Sequence, residues 1–167
     1  MDVQAHTGKL NQLIDELLKF QPAHEHCSSQ VCQRILFIYG EAYRHDQLNP
    51  ATHEAIPEMF GMANLATLEH LSRMLRIGRI VDKQGKNVYL PHVDRLAMPI
   101  AFLHGAENRQ FLPKTTERTF RFLCRKNGAQ WYTRHVIPGY GHMDCLVGKN
   151  AAEDVFPLIL AELEKGN

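Results

Sequence analysis

The chain has 167 residues, of which 44% are hydrophobic and 22% charged, near the averages of a globular domain with room for a real core. A formal charge of +1 excludes the basic excess of a nucleic-acid protein, and no apolar run reaches the ~20 residues that span a bilayer. The N-terminus, Met1-Asp2-Val3-Gln4-Ala5-His6, lacks the basic-then-apolar signal pattern, and four irregularly spaced cysteines make no disulfide scaffold, so a reducing, cytoplasmic setting is expected.

Residues 1–97 read as a mostly helical, cap-like segment. Asp2 or Thr7 caps a first helix to about Phe20, with Leu10, Leu13, Ile14, Leu17 and Leu18 on one face and Lys9, Asp15, Glu16 and Lys19 on the other. Pro22 ends it. The run His24-Glu25-His26-Cys27-Ser28-Ser29-Gln30-Val31-Cys32 invites a metal reading, but its spacing fits no common zinc signature. The simpler expectation is a helix capped by Ser28 or Ser29, with the cysteines buried as small hydrophobes and no metal or other cofactor.

Val31–Glu41 has helical spacing. Pro50 opens a third helix from its first turn, running to about Phe60, and Asn64 caps a fourth over Leu65–Ile77 that Gly78 stops. Its stripe of Leu65, Leu68, Leu71, Met74 and Leu75 predicts a packed face. Val81–Asn87 has the turn chemistry of a small hairpin, with Val88-Tyr89-Leu90 as its return. Met59, Phe60, Met62 and Met74 fit ordinary packing, or contact with a lipid-like substrate under a cap.

Residues 98–167 read as α/β. Ile100–His104 is a short apolar strand, Thr115–Asn127 a helix closed by Gly128, and Tyr132–Ile137 a second strand parallel to the first. A final helix starts near Asn150, with Pro157 inside its pattern. Each strand ends in a loop carrying polar residues, which is how an open α/β sheet builds a site. The first loop is His104-Gly105-Ala106-Glu107-Asn108; the second is Gly139-Tyr140-Gly141-His142. Candidate site residues are therefore Glu107, Asn108 and His142. Asp144 reads as a loop cap, His104 and His135 as structural, and Cys145 as a weaker candidate partner of His142.

These two units resemble the last two strand–loop units of an α/β-hydrolase, whose triad runs Ser, Asp or Glu, then His along the chain. His142 matches the family histidine. The family acid closes a Gly-x-x-Asp run, and here that position holds Asn108, with Glu107 beside it. The stretches Arg34–Glu41 and Pro57–Asn64, taken with His104–Asn108, resemble the hydrolase region of bacterial cholesterol-oxidase-like GMC oxidoreductase fusion proteins. That region is distantly similar to the acid lipases. The likeness spans about Cys27 to Lys165.

The resemblance implies a partial α/β-hydrolase fold and an ester or lipid-like acyl substrate. No Gly-x-Ser-x-Gly occurs, and Ser28, Ser29 and Ser72 sit on no such elbow. The expectation is the C-terminal part of a serine hydrolase whose nucleophile half is absent. A second hypothesis is a non-catalytic accessory region docked to a GMC-type flavin oxidoreductase or to its own missing N-terminal hydrolase half, with self-association through apolar surface. Any FAD would belong elsewhere, since no Gly-x-Gly-x-x-Gly is present. A third hypothesis is a redox or metal site made of Cys27, Cys32, His24 and His26.

Overall fold

A computed structural model describes residues 9–22, 25, 27–61 and 64–165. The caps expected at Asp2 or Thr7, and His24, His26 and Met62, lie outside them. Helix α1 (Lys9–Leu18) packs on α2 (Gln30–Tyr39). The face it uses differs from the expected stripe. Leu13 and Leu17 are exposed, while Asp15 is buried in a two-pronged ion pair with Arg34 of α2, at 2.7 and 2.9 Å. The guanidinium fork matches both carboxylate oxygens, which offsets the cost of burying the two charges.

Ser29 caps α2 through the Cys32 N–H, and the helix ends at Gly40, whose φ of 83° suits glycine. A 3-10 turn over His45–Gln47 leads to α3 (Pro50–Met59), capped by Asn49 and opened by Pro50. Cys32, Ile35, Tyr43, Leu48 and Ile56 form the core of this half, and Phe60 packs on Tyr39 at 5.4 Å. Met59 is exposed.

Helix α4 (Leu65–Ile77) has the expected limits, with Asn64 as cap and a left-handed Gly78 at its end. It buries none of its residues, and Leu65 and Leu75 are 73% and 69% exposed. The hairpin after it does not form. Asp82 Oδ1 accepts from the N–H groups of Gln84 and Lys86, which closes a side-chain-braced turn in place of a strand ladder. Pro91 then falls in a 3-10 segment, Leu90–Leu96.

The α/β part has β1 (Ile100–Gly105) and β2 (Tyr132–Ile137) paired in parallel, Ile100 opposite Tyr132 and Gly105 opposite Ile137. Helix α5 (Pro113–Asn127) makes the crossover, and Phe102 meets its Phe120 edge-on. A short α6 (Asp144–Val147), too brief for its apolar spacing to signal it in the sequence, follows the second loop. The final helix is broken at Val155 into α7 (Ala151–Asp154) and α8 (Phe156–Glu164), because Pro157 fits a first turn and not an interior. Ile137, Tyr140, Cys145, Ala151 and Val155 form a second core.

Among the described residues the sheet has two strands, so β1 and β2 each keep one unpaired edge. Val136 is 40% exposed where a doubly covered parallel strand would be buried. Phe156, Leu160 and Leu163, spaced for one face of α8, are also exposed. No described helix is long and apolar enough to cross a membrane.

Candidate functional site

The two strand ends are sewn together by backbone bonds. Ala106 N–H donates to Ile137 O at 2.8 Å, and Glu107 N–H to Tyr140 O at 2.9 Å. Such an approach leaves no room at Gly105. A Cβ there would overlap the carbonyl oxygens of Tyr140 and Gly141. Pro138 and Gly139 turn the chain after β2, with Gly139 at a φ of 78°. Asp144 is wholly buried, and its Oδ2 accepts from Gly141 N–H at 2.6 Å, which pins the turn that presents His142. It is a loop cap, as expected. Its burial pushes the Asp144 carboxyl up from the ordinary aspartate value, against hydrogen bonds from the backbone that pull it down.

The helical half grips the same loop. Gln47 Nε2 donates to Gly139 O at 2.7 Å, and Met143 N–H donates to Ala42 O at 2.8 Å. The presentation of His142 therefore depends on both parts of the chain.

Asn108 is buried, and its amide orientation is fixed. Phe111 N–H donates to Asn108 Oδ1 at 2.9 Å, which turns Nδ2 toward His142, where it donates to Nδ1 at 3.2 Å. Reversing the amide would face its NH2 with the Phe111 N–H, two donors together. A ring nitrogen that accepts carries no proton, so neutral His142 is protonated at Nε2. Phe111 packs edge-on against the ring at 5.2 Å. Partial burial, then the nearby His104, hold His142 below the ordinary histidine value, against a smaller upward pull from Asp144. The ring is neutral at neutral pH.

Of the two acid-position candidates, Asn108 meets His142. Glu107 lines a different cavity of about 270 Å³, with Glu41, Arg44 and Arg109. One residue of register separates the two because consecutive loop side chains diverge. His142 and Asn108 line a second cavity of about 440 Å³, walled by Leu103, Phe111, Leu146 and Ile159. Cys145 borders that cavity, yet its thiol is directed to Gly141 O at 3.5 Å and burial raises it to about 11, so it is no thiolate partner for His142. His104 holds Phe111 O at 2.8 Å, and His135 holds Glu162 at 2.7 Å, both structural roles.

A separate cluster lies in the helical half. Cys27, Cys32, His45 and His53 each place a donor atom within 4.8 Å of the others. His24 and His26, expected beside the two cysteines, lie outside the described residues, and His45 and His53 are not among the expected donors. No protein-family model, curated protein or solved structure matches this chain.

Proposed function

We propose that this chain is the C-terminal portion of a serine α/β-hydrolase acting on ester or lipid-like acyl substrates, completed by a nucleophile-bearing half on another segment or chain. The observation that carries the reading is the contact of Asn108 with His142 Nδ1 at the ends of two adjacent parallel strands, the placement a triad acid and histidine need. The apolar cavity beside the ring suits an acyl chain. The unpaired sheet edges and the bare face of α8 suit coverage by further strands and helices.

In such a centre His142 Nε2 takes the serine proton while the Nδ1 side is held by the residue at 108. Asn108 weakens this chemistry in two ways. It favours the tautomer whose Nε2 already carries a proton, and it supplies no negative charge to stabilise the imidazolium. Working as a base requires turning the amide, which leaves Phe111 N–H unpaired at about 1–3 kcal/mol. The proposed enzyme is accordingly slow. The Nε2-protonated ring equally favours a second reading, a non-catalytic role, which the sequence resemblance would make an accessory region of a GMC-type flavin oxidoreductase.

Hydrolysis of p-nitrophenyl acyl esters, measured with the Gly-x-Ser-x-Gly polypeptide encoded at the same locus, separates the two. The hydrolase reading expects His142→Ala to lower kcat by about 1000-fold or more. It expects Asn108→Asp to raise kcat by about tenfold or more. The absence of any such serine, or activity indifferent to His142→Ala, overturns it and leaves the accessory reading.

A further inference from the structure

The cluster in the helical half owes nothing to the strand ends. Its donors come from four places: the loop before α2 (Cys27), the first turn of α2 (Cys32), the 3-10 turn (His45) and α3 (His53). We propose that Cys27, Cys32, His45 and His53 form a four-coordinate site for a zinc ion.

Two edges already have the length a zinc tetrahedron needs, and all four donors lie within 4.8 Å, close enough for small side-chain shifts to close on an ion. Bonds of about 2.3 Å to sulfur and 2.0–2.1 Å to nitrogen give a tetrahedron with edges of about 3.3–3.8 Å. His53 Nε2 lies 3.5 Å from Cys27 Sγ and 3.2 Å from Cys32 Sγ. Two thiolates and two imidazoles are a donor set that suits zinc, and two thiolates neutralise its charge in a partly buried setting.

The surroundings are those of a ligand shell. His45 Nδ1 faces Glu25 Oε2 at 3.2 Å, and the same oxygen accepts the His45 backbone N–H at 2.8 Å. A carboxylate there holds the proton on Nδ1 and leaves a lone pair on Nε2, the arrangement that orients metal-bound histidines. That Nε2 is buried and has no hydrogen-bond partner among the described residues. A bound cation supplies what a buried acceptor lacks. Both sulfurs also receive donors: Tyr43 Oη–H at Cys32 Sγ (3.2 Å) and Ser29 N–H at Cys27 Sγ (3.4 Å). Binding releases one proton from each thiol, and these donors stabilise the thiolates formed.

Four protein ligands leave no open position, so the site is structural and not catalytic. It ties the Cys27–Cys32 loop to the turn that carries Gln47, and Gln47 holds Gly139 next to His142. A Cys27–Cys32 disulfide is the competing chemistry, and it leaves His45 Nε2 without a partner.

The test is zinc analysis of protein purified without chelator, followed by Co2+ titration of the stripped, reduced protein. The proposal expects one zinc per chain. It expects a 1:1 Co2+ complex with thiolate-to-metal charge transfer and intense tetrahedral ligand-field bands. Cys32→Ser and His53→Asn abolish or alter those bands, while Cys124→Ser leaves them unchanged. Glu25→Gln keeps the spectrum but weakens binding by about tenfold or more, and Glu25→Asp restores part of it. If the cysteine variants do not fold, thiol counting on the wild type decides: Zn2+ protects two further thiols from a disulfide reagent. Sub-stoichiometric zinc after incubation with Zn2+, a Co2+ spectrum without charge transfer, no thiol protection, or a Cys27–Cys32 disulfide persisting under reductant each overturn the proposal.

Discussion

Asn108 donates its side-chain amide to His142 Nδ1 at 3.2 Å, across the ends of two paired parallel strands. The contact joins residues 34 positions apart in sequence. Its direction matters as much as its distance, because the Phe111 N–H behind Asn108 decides which end of the amide the ring meets. Proton position on His142 is thus set by a backbone group it never touches.

Gly105 is the position where the two loops come closest. Gly105→Ala forces its Cβ into the carbonyl oxygens of Tyr140 and Gly141, which are backbone atoms with little freedom to retreat. The expected loss is about 3 kcal/mol or more in urea unfolding. A variant within about 0.5 kcal/mol of wild type would show that the strand ends do not pack this closely.

Acid sensitivity follows from the two depressed histidines. Burial is the main cause for both His104 and His142, whose ordinary value is about 6.5. Below that value the unfolded chain binds protons that the folded chain refuses, so stability rises with pH across the window. Urea midpoints should fall as pH drops from about 6.5 toward 5, and His104→Gln should flatten that slope. A midpoint that rises toward acid, or a slope unchanged in the variant, contradicts the assignment.

Asp15 and Arg34 form a pair whose side chains are 7% and 4% exposed. Asp15→Ala removes the carboxylate that faces a buried guanidinium and should cost about 3–5 kcal/mol, while Asp15→Leu with Arg34→Met should recover much of it. Equilibrium unfolding checks both variants. A loss under about 1 kcal/mol for Asp15→Ala would mean that water already reaches the pair.

The elements set by local chemistry were legible in the sequence. Apolar spacing and the Asn64 and Gly78 caps delimit α4, and two β-rich runs delimit β1 and β2. What periodicity does not carry is the partner. Helix α4 has the expected stripe, but among the described residues Leu65, Leu71 and Leu75 stay exposed and Leu68 and Met74 are only partly buried, and α1 turns Asp15 inward because Arg34 waits there. The choice between Glu107 and Asn108 hangs on one residue of register, which only packing decides. Cys27 and Cys32 stood out, but their companion His53 is 26 and 21 residues away on another element, outside any local motif.

The exposed leucines of α4 and α8 carry their own expectation. Leu65, Leu75, Leu160 and Leu163 are each more than half exposed. Apolar surface left in water favours association. Sedimentation velocity should show concentration-dependent oligomers, and Leu160→Glu with Leu163→Glu should shift them toward monomer. A wild-type chain that stays monomeric at high concentration contradicts this.

The most direct measurement is long-range 1H–15N NMR of the His142 ring, in the wild type and in Asn108→Asp. In the wild type the ring should be neutral at pH 7 with its proton on Nε2. In Asn108→Asp the proton should move to Nδ1 and the ring should titrate at higher pH, as a carboxylate partner demands. A wild-type ring protonated at Nδ1, or a ring whose state ignores the substitution, would show that the two strand ends do not form a coupled pair.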